Sequence, residues 1–331
     1  MTSFWTGRRV LVTGAGGFIA SHLVERLTNE GASVRAFVRY NSRGDPGLLS
    51  QLPADVFNSI ELIAGDLRDG AAVAQAVKGM HTVFHLGALI AIPYSYVHPV
   101  EVVETNVLGT LNVLMATRTH STERLVHTSS SEVYGTALRV PIDENHPLQG
   151  QSPYSASKIG ADKLAESFYC SYELPVVTLR PFNTYGPRQS ARAVIPTIIS
   201  QALSSSQIHL GSLGTRRDFT YVTDTVDGFL KAGETPGIEG ETFNLGVGQE
   251  VSVKDLVEMI LEMIDHTVNI VIDQDRLRPQ KSEVLRLLSD NQRARKILGW
   301  KPEVQLKEGL RLTIEWIKAH ASFYRPARYQ R

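Results

Sequence analysis

The sequence predicts an α/β fold in which helices cover both faces of a mostly parallel, doubly wound sheet, followed by a smaller α/β region. Three observations support this prediction. Short apolar strand-like runs alternate with helix-like segments through the first half of the chain. A glycine-rich turn joins the first strand to the first helix. The 331 residues, 42% of them hydrophobic and 21% charged, suffice for one large domain or two unequal ones.

The elements of the first half follow from hydrophobic periodicity. β-rich apolar runs predict strands at 10–12, 34–38, 60–63, 82–84, 125–127 and 176–179. Apolar residues at helical spacing predict helices at 18–27, 71–77, 102–116 and 154–172. Because strands alternate with helices, we expect a parallel sheet that is buried on both faces.

The alternation of predicted strands and helices becomes less regular after about residue 183. It predicts strands at 208–210, 219–222, 242–244 and 268–272, and helices at 225–231, 253–263, 292–298 and 308–318. We predict a nucleotide-binding domain over 1–182, joined in part by 223–250. A smaller substrate-binding α/β domain is predicted over 183–331.

Charge and composition exclude several classes of function. Lysine plus arginine equals aspartate plus glutamate, at 34 each, so no net field attracts nucleic acid or an anionic membrane. The single cysteine, Cys170, cannot form an intramolecular disulfide, and we expect it to be a small buried residue. The ten histidines lack metal-ligand spacing. We expect a cytoplasmic protein without a metal, a nucleic-acid partner or a membrane segment.

The first strand-to-helix turn has the composition of a pyrophosphate-binding loop. It reads TGAGGFIA from Thr13, with Gly14, Gly17 and Ala20 at the key positions. Glycines allow a sharp turn and close approach of backbone N–H groups to phosphate, and the helix N-terminus favours negative charge. The context predicts a Rossmann-type fold that binds a dinucleotide through Gly14, Gly17, Phe18 and Ile19.

The end of the second strand favours NADP over NAD. A carboxylate there would bind the ribose 2′-hydroxyl of NAD, but the strand runs into Arg39, Asn41, Ser42 and Arg43. Arginines and small polar groups suit a 2′-phosphate, with NAD as the alternative. Further predicted cofactor contacts follow the third and fourth strands: Asp66, Leu67, Leu86 and Ala88. Asp66 is equally consistent with the N-cap of a helix.

A tyrosine and a lysine near the start of a long helix predict the chemistry. Tyr154 and Lys158 are four residues apart and therefore share a helix face. An adjacent ammonium lowers the pKa of a phenol, so we expect Tyr154 to take a proton from a hydroxyl. Ser130 and Glu132, at the carboxyl end of the fifth strand, supply a hydrogen bond to the reacting oxygen and a second acid–base group.

The ordered set of motifs resembles the extended short-chain dehydrogenase/reductases, in their nucleotide-sugar epimerase/dehydratase branch. The resemblance covers nearly the whole chain. Besides the glycine turn, the matching motifs are NVLGT at 106–110, SSEVYG at 130–135, YSASK at 154–158, RPFNTYGPR at 180–188, RDFTYV at 217–222 and LGWKP at 298–302.

The resemblance implies a role for each matching residue. Ser130 takes the place of the family's catalytic serine or threonine, Tyr154 is the base at C4, and Lys158 holds the nicotinamide ribose. A tightly bound, recycled nicotinamide cofactor is implied. The implied contacts to a nucleotide-sugar substrate are Tyr94, Ser131, Asn183, Arg217 and Arg278.

Glu132 favours a 4,6-dehydratase within this branch. It stands where such enzymes carry the glutamate that removes the C5 proton, directly before Val-Tyr-Gly. The dTDP-glucose dehydratases carry an Asp-Glu pair there, whereas Ser131-Glu132 looks more like GDP-mannose dehydratase. Segments 37–43 and 90–96 look closest to dehydratases of the GDP-N-acetylglucosamine type, so the substrate is expected to include an N-acetylhexosamine.

Other activities stay open. A 4-epimerase needs no C5 base, and a catalytically silent NADP-binding protein would keep the fold without turnover. The missing aspartate leaves the acid at C6 unassigned, with action of Glu132 in both steps as an alternative. Nucleobase contacts are expected around 194–196 and 210–211. The family's pairing of two helices, here 102–116 and 154–172, implies a homodimer through a four-helix bundle.

Overall fold

The structure is a computed structural model that describes residues 2–324. Its strands are β1 (Arg9–Thr13), β2 (Ser33–Arg39), β3 (Glu61–Gly65), β4 (Thr82–His85), β5 (Arg124–Thr128), β6 (Val176–Pro181), β7 (Asn183–Tyr185), β8 (Gln207–Leu210), β9 (Arg216–Tyr221), β10 (Thr242–Leu245), β11 (Glu250–Ser252), β12 (Asn269–Ile272) and β13 (Arg286–Leu287).

The helices cover these strands on both sides. They are α1 (Phe18–Asn29), α2 (Ala54–Ser59), α3 (Gly70–Val77), α4 (Ile92–Val97), α5 (Pro99–Val103), α6 (Gly109–Thr119), α7 (Pro153–Tyr172), α8 (Val194–Ala202), α9 (Val222–Glu234), α10 (Val253–Ile264) and α11 (Leu306–Ala319). A π-helical turn, Glu104–Leu108, joins α5 directly to α6.

A seven-stranded parallel sheet forms the centre of the molecule, in the order β3-β2-β1-β4-β5-β6-β10. The predicted α/β fold is therefore confirmed. Strands β4 and β6 are buried along their whole length, as expected for inner strands of a parallel sheet that is covered on both faces. Helix α1 buries Leu23, Val24 and Leu27 against the sheet, at the spacing of one helical face.

The strand order reverses between β1 and β4, and this reversal positions the site. From β1 the chain builds outward through β2 and β3, and then returns to build β4, β5 and β6 on the other side. In open α/β sheets, ligands bind in the crevice beyond the carboxyl ends of the strands at such a switch point. The glycine turn after β1 and the segment after β4 both open into this crevice.

A smaller region packs beside that edge of the main sheet. Strands β11, β9 and β13 lie side by side with β7 also paired to β9, and β8 pairs with β12. Strand β10 belongs to the main sheet, where it lies parallel to β6. The division of the chain at residues 182 and 183 stays a prediction.

Several local expectations are corrected. Helices α4 and α8 were not predicted, and the strand expected at 219–222 ends at Tyr221 because Val222 already begins α9. Cys170 was expected to be buried but is exposed, because it lies on the outward face of α7. No helix within residues 2–324 is long and apolar enough to cross a bilayer.

Candidate active site

The glycine turn has a backbone that only glycine accommodates easily. Gly14 has a φ of +66°, and a Cβ there would lie 2.6 Å from the Cα of Gly87. Gly17 is the N-cap of α1, and the first turn of that helix carries no acidic side chain. Phe18 and Ile19 follow it and pack partly buried against the core. The turn thus fits a pyrophosphate at the helix N-terminus.

A cavity of about 120 Å³ lies beside this turn, on the side of β2 and β3. Its wall includes the predicted cofactor contacts Gly14, Arg39, Asp66, Leu67 and Ala88. Leu86, also predicted, packs partly buried against the core instead. The cavity is mainly apolar with a carboxylate at its rim, which fits an adenine and its ribose.

The polar groups at this rim are already paired. Asp66 accepts hydrogen bonds from the Arg68 guanidinium, the shorter at 2.7 Å, and this contact lowers the pKa of Asp66. The N-cap of α3 is Asp69, so the interpretation of Asp66 as a helix cap is wrong. Arg39 lies 3.1 Å from Glu101.

The loop after β2 carries three further predicted cofactor contacts, Asn41, Ser42 and Arg43. Asn41 uses its side chain to accept hydrogen bonds from the backbone of Arg43 and Asp45, which shapes the loop. Ser42 and the Arg43 side chain are exposed on that loop.

The start of α7 is fixed by a capping box and a proline. Ser152 accepts a hydrogen bond from the Ser155 backbone, the Ser155 hydroxyl bonds back to Ser152, and Pro153 occupies the first turn. This start directs Tyr154 and Lys158 toward the carboxyl end of β5, where the Lys158 ammonium donates to the Thr128 carbonyl.

Tyr154 and Lys158 are both buried, and this burial is the largest influence on the pKa of each. Burial raises the pKa of Tyr154 to about 12; the Ser130 hydrogen bond lowers it, and Glu132 raises it further. Burial lowers the pKa of Lys158 to about 8 against the raising effect of Asp162. The expected lowering of the Tyr154 pKa is therefore wrong, because burial of the phenol outweighs its hydrogen bond.

A buried network of hydrogen bonds lies beside Tyr154 and Lys158, and no sequence pattern predicted it. Asp162 accepts hydrogen bonds from Ser129 at 2.7 Å, from Arg180 at 3.0 Å and from His127 at 3.1 Å. Burial opposes ionisation of Asp162, but these partners outweigh it and lower its pKa. Asp162 follows Lys158 by four residues, so the helical spacing from Tyr154 could have revealed it.

A second cavity, of about 280 Å³, collects the predicted diphosphate contacts. Asn183, Arg217 and Arg278 all line it, and the Oδ1 atom of Asn183 is buried without a hydrogen-bond partner. The same wall includes Val194, Ile195, Leu210 and Gly211, where nucleobase contacts were expected. Two arginines facing one cavity fit an anionic diphosphate.

Glu132 lies near an arginine of this cavity, and its charge also reaches Tyr154. It lies in a short 3-10 turn, Ser131–Tyr134, whose N-cap is Ser130. One Glu132 carboxylate oxygen lies 3.7 Å from Nη1 of Arg278, and the charge of Glu132 acts on Tyr154 and Arg217. Ser131, predicted to contact substrate, is 3% exposed.

The two tyrosines of α4 point to different partners. The Tyr94 hydroxyl donates to Glu101, on the Arg39 side of the crevice, rather than toward Glu132. The Tyr96 hydroxyl instead lies 2.7 Å from the Ser282 hydroxyl. Tyr96, which the sequence analysis did not single out, is thus the α4 tyrosine on the Glu132 side.

The profile of the family described as GDP-mannose 4,6 dehydratase matches residues 11–313. The chain belongs to the extended short-chain dehydrogenase/reductases that act on nucleotide sugars as epimerases or dehydratases. A UDP-glucose 4-epimerase of Mycolicibacterium smegmatis is 33% identical over 317 residues, 94% of this chain and 98% of the relative. A dTDP-glucose 4,6-dehydratase of Streptomyces griseus is 33% identical over 322 residues, 96% of each chain.

A solved member of this family has nearly the same architecture. The dTDP-glucose 4,6-dehydratase of Streptomyces venezuelae, determined with NAD bound, superposes with a TM-score of 0.87 at 29% identity, covering 97% of this chain and all of that one. The family is NAD(P)-dependent. The glycine turn and the cavity beside it fit such a cofactor, which Gly14, Gly17, Asp66 and Leu67 could hold.

Proposed function

We propose that this protein is a nucleotide-sugar 4,6-dehydratase, which removes water across C5 and C6 to give a 4-keto-6-deoxy sugar. The observation that carries the proposal is the Glu132 carboxylate, which lies 3.7 Å from Arg278 of the diphosphate cavity and whose charge reaches Tyr154. A 4-epimerase needs no base at this position, whereas a dehydratase needs one at C5.

The first step is oxidation at C4. The bound nicotinamide would accept hydride from C4 and later return it to C6. Tyr154 takes the C4 hydroxyl proton, and Ser130, whose hydroxyl is near enough to affect the pKa of Tyr154, holds the same oxygen. Lys158 stands one helical turn away as a cation that stabilises the phenolate when it forms.

The second step is loss of water. The C4 ketone makes the C5 proton acidic, and Glu132 removes it. Arg217 and Arg278, with Asn183, hold the diphosphate and so fix the sugar with C5 against Glu132. Burial of Arg217 at 7% exposure strengthens this anchor, because its charge is screened little by water.

A 4-epimerase is the second candidate, since the Mycolicibacterium smegmatis relative carries that name. Incubation with GDP- and UDP-N-acetylglucosamine, GDP-mannose, and UDP- and CDP-glucose, read by mass spectrometry, separates the two. Loss of one water from a single sugar supports the dehydratase. An unchanged mass with a new epimer on chromatography rejects it.

We propose a GDP-linked N-acetylhexosamine as the substrate to try first.

We further propose NADP rather than NAD as the cofactor. The 2′-phosphate would meet Arg39, which lines the adenine cavity, and Arg43, which is exposed on the loop that follows β2. We expect NADP to bind at least about tenfold more tightly than NAD, the effect of one charge-assisted contact. Calorimetric titration should show this preference disappear in an Arg39→Ala, Arg43→Ala double variant and persist in Arg311→Ala. Tighter binding of NAD by the unaltered protein would reject the proposal.

We also propose a cytoplasmic homodimer formed through the α5–α6 helix and α7. These helices pack side by side, and Val100, Val103, Leu108 and Met115 expose apolar side chains along the first of them. We expect light scattering to give twice the chain mass of 36.5 kDa. Leu108→Glu with Met115→Glu should give a folded monomer, because charge is costly in an apolar interface. A monomeric wild type would contradict the proposal.

A further inference from the structure

The hydroxyl of Tyr96 is a proton-bearing group that the proposed reaction has not used, and it is linked to Glu132 through the segment that carries Arg278 and Ser282. Tyr96 lies on α4 with its hydroxyl 2.7 Å from Ser282. Burial raises the pKa of Tyr96, and although Ser282 and Arg278 oppose this, Glu283 and Glu132 add to it. The phenol is therefore protonated at neutral pH and within the electrostatic reach of Glu132.

One short segment ties Tyr96 to the rest of the site. Within residues 278–283, Arg278 lies 3.7 Å from Glu132, and Ser282 contacts Tyr96. Glu283, at the end of the segment, lies 3.7 Å from Arg217. The same segment therefore contacts the phenol, the proposed C5 base and a proposed diphosphate-binding arginine.

Loss of water needs an acid at C6, and other neighbours of Glu132 are poorly suited. Arg278 cannot give up a proton, because guanidinium groups stay charged in proteins. Ser131 is buried, and a neutral hydroxyl of serine is a far weaker acid than a phenol. Tyr154 is engaged at C4 with Ser130.

We propose that Tyr96 protonates the C6 hydroxyl as it leaves, and that Ser282 positions Tyr96 for this transfer. The inference rests on the proposed dehydratase function. Glu132 takes the C5 proton, and the C5–H electron pair becomes the C5–C6 double bond. The C6–O bond breaks, and the departing hydroxide takes the Tyr96 proton to become water. Glu132 gives its proton back to C5 when hydride would be returned to C6. Tyr154 releases the proton from the C4 hydroxyl to solvent, and solvent supplies a proton to the Tyr96 phenolate.

The test is run in heavy water with the nucleotide sugar that the wild-type enzyme dehydrates. It compares two events: loss of water from the sugar, and entry of deuterium at C5 of the recovered sugar. In Tyr96→Phe we expect loss of water to fall about 100-fold, as for removal of a general acid, while deuterium still enters C5 of recovered sugar. Glu132→Gln should abolish both events. Ser282→Ala should retain C5 exchange with a smaller loss of dehydration. Tyr172→Phe, which removes an exposed phenol at the end of α7, is the matched control.

The outcomes separate the two proposals. Equal loss of exchange and dehydration in Tyr96→Phe, or dehydration within threefold of wild type, overturns the role of Tyr96 and leaves the dehydratase standing. A Tyr96→Phe protein that does not fold leaves the decision to Ser282→Ala, which must lower dehydration more than exchange. A wild-type enzyme that removes water from no sugar in the panel overturns the proposed function and this inference with it.

Discussion

Replacing Tyr154 with phenylalanine is expected to lower kcat by about 10³-fold, the middle of the range for loss of a general acid–base group. The phenyl ring keeps the packing of this buried position, so the change removes only the hydroxyl that bonds Ser130. Every proposed activity begins with removal of the C4 hydroxyl proton. Dehydration and epimerisation should therefore fall together, and steady-state turnover with the active nucleotide sugar measures this.

The control for Tyr154→Phe is its content of bound cofactor. Lys158 and the glycine turn remain in this variant, so we expect the purified protein to carry as much nicotinamide nucleotide as wild type. Turnover within tenfold of wild type would contradict the assignment of Tyr154. Loss of bound nucleotide would show that the hydroxyl acts in binding instead.

Replacing Glu132 with glutamine is expected to abolish loss of water while oxidation at C4 continues. The amide has almost the same shape but cannot take the C5 proton, so we expect dehydration to fall by at least about 10³-fold. Absorbance of the reduced nicotinamide should then rise on mixing with substrate, since hydride has no route to C6. Stopped-flow absorbance and mass spectrometry of the products measure the two effects.

Glu283→Gln is the matched comparison for Glu132→Gln. Glu283 also lies near Arg278, at 3.8 Å, and in the diphosphate cavity, but the proposal gives it no proton to move. We expect Glu283→Gln to change KM for the sugar nucleotide more than kcat. A larger loss of kcat in Glu283→Gln than in Glu132→Gln would contradict the assignment of the C5 base.

The sequence predicted the central sheet well because each of its inner strands is a short run that is buried on both faces. Composition alone therefore predicts both that such a run is a strand and where in the chain the strand lies. Helix α8 was not predicted because it contains a proline. Pro196 lies two residues after its first residue, Val194, and proline is tolerated in a first turn although it breaks a helix further along.

Residue spacing predicted the relative positions of some side chains in the site but not of others. Tyr154 and Lys158 lie on one long helix, so their common face followed from four-residue spacing. Tyr94 and Tyr96 lie two apart on the short helix α4, where successive residues turn by about 100° and the two side chains diverge. Which of them faces Glu132 depends on the distant segment 278–283, whose position no local pattern encodes.

Ionisation was the least predictable property of the site. The sequence places Lys158 near Tyr154 and so suggests a lowered phenol pKa. The fold instead encloses both groups, and burial shifts both toward their neutral forms. The exposure of Cys170 was also not predictable from the sequence. Its small side chain suggested burial, but Cys170 lies on the outward face of α7 and is exposed.

The most direct test of the dehydratase is the fate of a deuterium placed at C4 of the active nucleotide sugar. A 4,6-dehydratase moves this label to C6, because the hydride taken from C4 is returned there after water has left. We predict a product that has lost one water and carries the deuterium in its C6 methyl group, by mass spectrometry and nuclear magnetic resonance. A product of unchanged mass with the deuterium still on an inverted C4 would contradict the account and identify a 4-epimerase.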